Sequence, residues 1–295
     1  MGTKPAFSRY RLFLGCIGGC TLLAAVLRTL ALCLDLQIDI GYFRAGAVLP
    51  TLLYVWEGLT LLACLAPLFL IKKDELAPVR GVTSSLTLIG AILAALTFAA
   101  TAIYLATQMG AIASAFPMPL ALLLLAVIFL LIGGAYFLLQ AMGRLESAGL
   151  CGYGVILAAA LLLSVTYFDR YTPMNAPHKV ALHVCLLSIM VYMLYELRVL
   201  IGRSLPRALC VISAVTFFLT ATVGISNLIA FGAGIYSDPL YLMGDLCCIA
   251  MAVYIAGRAV TDLMLLSPAV QEMLTASVPV TETVPTEALS EQEEQ

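Results

Sequence analysis

Charged residues are scarce in this chain of 295 residues, where Asp, Glu, Lys and Arg together make up only 11%. Soluble globular proteins carry about 25% charged residues. Hydrophobic residues account for 62% of the chain, and the mean hydropathy is +1.05. A soluble fold of this composition would expose much apolar surface to water, whereas a lipid bilayer removes that cost. The composition therefore excludes an ordinary soluble protein and predicts an integral membrane protein.

Basic residues and enzyme motifs are also in short supply. The chain has 15 Lys and Arg against 17 Asp and Glu, with no basic patch interleaved with aromatic residues, so we expect no nucleic-acid partner. It contains no His-Glu-x-x-His, no Gly-x-Ser-x-Gly and no phosphate-binding Gly-x-x-x-x-Gly-Lys, which are the motifs of common hydrolases and nucleotide-binding proteins. We therefore expect no catalytic residues, no cofactor and no enzymatic activity.

Metal-binding patterns are absent from the sequence as well. The nine cysteines lie in or beside apolar stretches and form no Cys-x-x-Cys pair. That placement is typical of small packing residues rather than zinc ligands. The two histidines, His178 and His183, are five residues apart, so they do not share a helix face. The sequence therefore predicts no metal site.

Long apolar runs are what the sequence does have. A membrane-spanning helix needs roughly 20 mostly apolar residues. Eight stretches qualify and predict an all-α bundle of about eight transmembrane helices: 12–34, 46–71, 82–106, 119–141, 151–168, 179–201, 208–231 and 240–266. The first stretch follows basic residues, as in a signal peptide, but it is long enough to span and we expect it to remain attached.

Three regions follow from this pattern. Residues 1–11 form an N-terminal cytoplasmic segment, and residues 12–266 form the transmembrane domain, whose connections are too short to hold a folded domain. Residues 267–295 contain six acidic residues and no basic residue. A polar, acidic segment of this kind cannot bury enough apolar surface to fold. We predict that it is a disordered cytoplasmic tail.

The distribution of basic residues predicts the orientation. With the N-terminus in the cytoplasm, eleven Lys and Arg fall in cytoplasmic segments, three fall in outer loops, and Arg28 lies within the first span. Cytoplasmic loops of membrane proteins carry this excess of positive charge. Both ends are therefore predicted to be cytoplasmic. No organelle-targeting segment is visible, so the expected location is the plasma membrane, taken as a bacterial inner membrane.

A weak internal repeat is a further reading of the pattern. Tyr42-Phe43-Arg44 follows the first span, and Tyr167-Phe168-Asp169-Arg170 follows the fifth. Four helices in each half would make the two repeats parallel, because an even number restores the orientation. The spacings between corresponding residues match poorly, and chance resemblance between apolar segments explains the pattern equally well.

Three charged residues fall in the middle or outer part of the predicted membrane: Arg28, Glu57 and Asp245. Charges at such depth are costly and usually face the bundle interior or water. We predict that they form one polar cluster in the outer half of the bundle, which is a candidate substrate or ion site. Four polar residues are expected around it, namely Tyr54, Thr101, Tyr104 and Asn227. The alternative is an ion pair that only locks helices together.

Polar residues recur at helical spacing in several spans, and in the sixth span they include a charged residue near the cytoplasmic face. The seventh span carries Ser213, Thr216, Thr220, Gly224 and Asn227, and the sixth carries Cys185, Ser188, Tyr192 and Glu196. Such stripes line a wet cavity in some membrane proteins and only hold helices together in others. Near the cytoplasmic face, Arg258 and Asp262 form an i, i+4 pair. We expect these inner charges to extend to the interface.

The outer loop that includes residues 167–179 is the densest polar segment. Asp169, Arg170 and His178 could form an outer gate there. The structural alternative is that Asn175 and Pro177 simply begin the next helix and the tyrosines lie at the interface.

Two functional classes fit these features. Polar stripes and charges at mid-membrane depth favour a permease or channel-like protein for a small solute or ion. The acidic tail and small loops suit a non-transporting membrane sensor equally well, or an accessory subunit with a membrane-protein partner. A membrane-embedded lipid enzyme is a third, weaker alternative. In every case the lipid bilayer is the surrounding partner.

Reporter fusions test the predicted topology. A reporter after Leu266 is expected to read cytoplasmic, and one between Tyr171 and Asn175 is expected to read external, because positive charge is retained inside. Enzymatic reporters active on only one side of the membrane give the measurement. A cytoplasmic reading at the outer loop would contradict the eight-span arrangement.

Overall fold

The structure, a computed structural model, describes residues 4–37, 40–70, 84–115, 119–203 and 205–265. Within these ranges, eight helical segments are long and apolar enough to cross a membrane. The predicted all-α bundle is therefore confirmed, and the chain is an integral membrane protein. Its orientation and the membrane in which it resides remain predictions. The predicted tail, 267–295, lies outside the described residues.

Nine helices and one small hairpin make up the described chain. The helices are α1 Lys4–Asp35, α2 Val48–Ala63, α3 Pro67–Leu70, α4 Ser85–Ala115, α5 Leu120–Ala141, α6 Leu145–Tyr167, α7 Pro177–Leu200, α8 Pro206–Gly232 and α9 Pro239–Leu265. The strands β1 Leu36–Gln37 and β2 Tyr42–Phe43 pair antiparallel after α1. Helices α2 and α3 together form the second span.

Three helices are longer than the sequence indicated. Helix α1 begins at Lys4, so most of the predicted N-terminal segment 1–11 is helical. Helix α4 continues to Ala115 rather than ending near residue 106, and α6 begins at Leu145 rather than near residue 151. Hydropathy detects only the apolar part of a helix, and polar turns at the membrane surface extend beyond it.

Six helices close into a ring. Each helix from α4 to α9 packs against the next, and α9 returns to pack along α4. Helix α1 lies against α8 on the outside of this ring, and α2 lies against α1. Helix α9 is the most buried of the spans, because it also contacts α7 and α1.

Aromatic side chains pack together inside the ring of six helices, where α4, α5 and α9 meet. The ring of Phe137 makes edge contacts with Phe98, Tyr136 and Tyr254, at centroid separations of 5.5, 5.0 and 5.1 Å. All four side chains are buried. Edge-to-face packing of this kind is the favoured arrangement of aromatic pairs. The centre of the ring is therefore packed solid at this level rather than open as a pore.

Glycines let α4 and α9 approach closely. A Cβ atom on Gly90 would lie 2.6 Å from the Cα of Tyr254, and one on Gly257 would lie 2.6 Å from the Cα of Thr87. Beside this contact, the hydroxyls of Thr87 and Thr261 lie 3.1 Å apart, within hydrogen-bonding distance. Small residues and interhelical hydroxyl bonds are the usual means of helix association in membranes. This contact closes the ring.

The helix contacts do not support the predicted internal repeat, in which each half has four helices. Helix α7 packs along α8, whereas its counterpart in the first half, α2, packs mainly along α1 and makes little contact with α4 in the described chain. Corresponding helices of the two halves therefore have different neighbours, and the repeat remains a prediction from sequence alone.

Substitution at the glycine contact tests the closure of the ring. Gly90→Ala and Gly257→Ala are each expected to destabilise the protein by about 1–3 kcal/mol, because the added methyl group meets backbone that cannot move aside. Thermal unfolding of the purified protein in detergent measures the effect. Gly15→Ala is the matched control, since a Cβ there meets nothing within 4 Å. Equal stability of all three variants would contradict the close approach.

Candidate functional site

Arg28 connects three helices in the half of the bundle where α1 ends and α7 begins, the outer half in the predicted orientation. Its side chain is buried, and Nη1 lies 3.9 Å from Oε1 of Glu57 on α2. Its Nη2 donates a hydrogen bond of 3.3 Å to the carbonyl oxygen of Pro177, the first residue of α7. The structure thus brings Arg28 and Glu57 together, at a distance that makes a loose ion pair.

Asp245 lies close to the same guanidinium. It is buried on α9 and accepts a hydrogen bond of 3.0 Å from Nδ2 of Asn227 on α8. The Arg28 side chain is near enough to act electrostatically on the Asp245 carboxyl. All three charged residues predicted to cluster therefore share one region, which holds two carboxyl groups and one guanidinium.

His178 and Tyr236 complete this region. The centroid of the buried His178 ring lies 4.3 Å from that of the Tyr236 ring, with the planes tilted by 44°, and 4.9 Å from that of the Tyr241 ring. Arg28 is within electrostatic range of both His178 and Tyr236. Sequence reasoning placed His178 at a gate and missed Tyr236, because nothing in the chain's spacing shows that the α8–α9 connection folds over the start of α7.

We call this region the outer polar cluster: Arg28, Glu57, His178, Asn227, Tyr236 and Asp245. Four of its buried polar atoms have no hydrogen-bond partner among the described residues, namely Arg28 Nε, His178 Nδ1, Asn227 Oδ1 and the Tyr236 hydroxyl. A buried unsatisfied group costs about 1–3 kcal/mol. Native proteins tolerate several such groups together chiefly where water or a ligand binds them.

The free atoms offer mixed hydrogen-bonding chemistry. Arg28 Nε is a donor and Asn227 Oδ1 is an acceptor. Burial raises the pKa of the Tyr236 phenol, so the hydroxyl stays protonated at neutral pH and can donate. The cluster is therefore suited to a small polar molecule that carries both acceptors and donors.

Three other predicted site residues make none of these contacts, namely Tyr54, Thr101 and Tyr104. Tyr54 is half-exposed on α2, at the edge of the cluster, and lies within electrostatic range of Arg28 and Glu57. Thr101 donates a hydrogen bond of 2.8 Å to the carbonyl of Thr97 and lies 3.4 Å from Sγ of Cys247. Thr101 thus belongs to the α4–α9 interface.

Tyr104, one turn beyond Thr101 on α4, is partly exposed. The nearest carboxyl that acts on it is Asp238, at the start of α9. The expectation that Thr101 and Tyr104 surround Arg28 did not take account of the position of α4, which borders α9 on a different side from α1.

Asp169 anchors the outer loop instead of forming an open gate. It is 3% exposed, and its carboxylate accepts a hydrogen bond of 2.8 Å from the Tyr241 hydroxyl. The Tyr171 backbone N–H donates to the same carboxylate at 2.8 Å, and Lys179 Nζ donates to the Asp169 carbonyl at 2.8 Å. Arg170 is exposed beside it. Of the three predicted gate residues, only Arg170 faces outward.

A second polar group lies in the inner half and is buried, contrary to the expectation that its charges extend to the interface. Arg258 Nη2 lies 3.0 Å from Glu196 Oε1, with the two side chains 9% and 2% exposed. Tyr254 donates to Oε1 and Tyr192 to Oε2 of Glu196, both at 3.2 Å. We call these four residues the inner network. Opposite charges on α7 and α9 meet here, and that compensates their burial.

The polar stripes of α7 and α8 face each other between the two clusters. Thr216 Oγ1 donates to the Ser188 carbonyl at 3.1 Å, and Cys185 Sγ donates to the Leu219 carbonyl at 3.4 Å. Thr220 is buried next along α8 toward Asn227. This α7–α8 seam links the outer polar cluster to the inner network through direct helix contacts and is closed in this conformation.

No protein-family model matches the chain, and searches of curated proteins and of solved structures found no significant match. Function is therefore inferred from the geometry of these clusters.

Variants of Arg28 and Glu57 test the electrostatics of the outer polar cluster. Glu57→Gln is expected to cost about 1 kcal/mol, because the pair is long and partly exposed. Arg28→Met is expected to cost about 3 kcal/mol, since it leaves two carboxyl groups without their cation. The double variant should lose less than the sum of the two. Thermal unfolding gives the measurement, and strict additivity would show that the two residues do not interact.

Proposed function

We propose that this integral membrane protein is a permease for a small polar solute, which binds at the outer polar cluster. The observation that carries the proposal is the group of four buried donors and acceptors around Arg28 that have no hydrogen-bond partner among the described residues. Ionisable and polar groups at membrane depth are expensive, and they commonly mark the path of a substrate or an ion.

The composition of the cluster favours a class of solute. Two carboxyl groups surround one guanidinium, so a cationic or zwitterionic solute is preferred over an anion. Arg28 Nε and the Tyr236 hydroxyl suit an acceptor such as a carboxylate, and Asp245 suits an ammonium group. A small amine or amino acid meets both requirements.

The α7–α8 seam supplies a route toward the cytoplasm. Its hydroxyl and carbonyl groups lead from Asn227 past Thr220 and Thr216 to Glu196. Passage requires the inner network to open, because Glu196 and Arg258 close the seam at its inner end. On this proposal, the conformation in which the inner network is intact is the one closed toward the cytoplasm.

A membrane sensor is the second candidate. Both carboxylate oxygens of Glu196 are occupied by partners, and aromatic side chains fill the adjoining ring. A sensor needs only the outer site, so a permanently closed inner half would favour it. Neither candidate assigns an enzymatic step to these residues.

Tyr236→Phe tests the site with little risk to the fold. The variant keeps the ring packed against His178 and removes a hydroxyl that has no hydrogen-bond partner among the described residues, so stability should be unchanged or slightly higher. Solute binding should fall about five- to ten-fold, the effect of one hydrogen bond. Ligand-induced thermal shifts, screened over small amines, amino acids and carboxylates, identify the solute and measure binding.

Tyr241→Phe is the matched control. Its hydroxyl is bonded to Asp169, so this variant should lose stability by about 1 kcal/mol. Uptake of the identified solute into liposomes then separates the two candidates. Binding with uptake supports a permease, binding without uptake supports a sensor, and unchanged binding in Tyr236→Phe would overturn the site.

A further inference from the structure

An apolar cavity lies between α1, α8 and α9 in the inner half of the bundle. It encloses about 170 Å³ and is lined almost entirely by apolar groups, among them Phe13, Ile17 and Gly18 of α1, Ala214 and Phe217 of α8, and Ile255 of α9. An apolar cavity of about 150 Å³ is large enough to bind a small hydrocarbon and stays dry. In a bilayer, the hydrocarbon available to it is a lipid acyl chain.

The cavity has a polar end. Tyr10, Cys210 and Ser213 line both the cavity and a smaller adjoining pocket. That pocket also contains Glu196, Arg258 and Asp262. Arg258 is paired with Glu196 and also acts electrostatically on the half-buried Asp262, so two carboxyl groups share one guanidinium and the pocket has an excess of acidic groups. Tyr10 lies near the start of α1 and Asp262 near the end of α9, which places the polar end at the depth of lipid head groups.

Arg207 adds a positive group on the face of α8 that lines the cavity. Arg207 is one turn before Cys210, and the lining residues Ala214 and Phe217 follow Arg207 by seven and ten residues, on the same helix face. The Nε atom of Arg207 is buried and has no hydrogen-bond partner among the described residues. Guanidinium groups are favoured binding partners of phosphate.

We propose that this inner cleft is a binding site for a phospholipid with an amine-bearing head group from the adjacent leaflet, which is the cytoplasmic leaflet in the predicted orientation. One acyl chain occupies the cavity, the phosphate contacts Arg207, and the ammonium group contacts Asp262. The site is independent of the outer polar cluster and does not rest on the permease proposal.

Selectivity must come from the polar end. The bilayer interior is as apolar as the cavity, so burial of a chain gives no preference for one lipid over another. A negative Asp262 beside a positive Arg207 matches a zwitterionic head with a phosphate and a primary amine. An anionic head group satisfies Arg207 but is repelled by Asp262.

Lipid competition tests the site on the full-length protein. Purified protein is equilibrated in detergent with equal amounts of dioleoyl phosphatidylethanolamine, dioleoyl phosphatidylglycerol and dioleoylglycerol, and native mass spectrometry counts the lipids retained. One phosphatidylethanolamine per chain is expected, with a preference of about five-fold over phosphatidylglycerol. Asp262→Asn should remove that preference, and Arg207→Gln should lower retention of both phospholipids relative to dioleoylglycerol.

Two glycine variants separate the cleft from the general lipid surface. Gly18→Leu places a side chain into the cavity without meeting any atom within 4 Å of its Cβ, and should abolish retention. Gly15→Leu adds the same side chain at an exposed, equally open position of α1 and should retain lipid as the wild type does. Retention of lipids in the ratio supplied, equal retention in Gly18→Leu, or a copurifying peptide or second copy of the chain in place of lipid would overturn the proposal.

Discussion

The ion pair between Glu196 and Arg258 is the interaction on which the inner half of the bundle depends. A single charge buried among these helices would be costly, whereas a paired one with further hydrogen bonds is tolerated. Tyr192 supplies one of those bonds from α7 itself, whereas Tyr254 and Arg258 reach Glu196 from α9 and thereby tie the rotation of α9 to that of α7. With α9 fixed, its glycine face meets α4 and its Asp245 meets α8, so the ring and the outer polar cluster both follow from this pairing.

The two polar groups of the protein differ in how completely their bonding is satisfied. In the inner network, both oxygens of the Glu196 carboxylate are engaged, which is typical of a structural element. In the outer polar cluster, the ion pair of Arg28 is long and several buried atoms lack partners among the described residues. This contrast is the ground for proposing that a solute binds at the outer polar cluster, while the inner network holds the helices together.

Much of the fold could be predicted from the sequence, because hydropathy reports directly on membrane insertion. Arg28, Glu57 and Asp245 could be grouped as well, since depth along a helix follows from residue count. The rotation of each helix about its own axis and the order of the helices around the bundle could not be predicted. Glu196 was expected at the interface because its partner Arg258 is 62 residues away in sequence, and Tyr236 was missed because its stacking on His178 depends on the fold of two loops. Thr101 was expected beside Arg28 because of its depth, but it lies in the interface between α4 and α9.

The closing contact of the ring has a consequence for biosynthesis. Helices α4 and α9 are the first and last members of the ring, and they meet through Gly90 and Gly257. Until the ribosome has delivered α9 to the membrane, α4 has no partner for this face, and the Glu196 carboxylate of α7 lacks its cation and retains only the hydrogen bond from Tyr192 of the same helix. The partially synthesised protein is thus an open arc with an uncompensated charge in lipid. Chains that stop before α9 therefore leave the Glu196 carboxyl group and the glycine face of α4 without the contacts that α9 supplies.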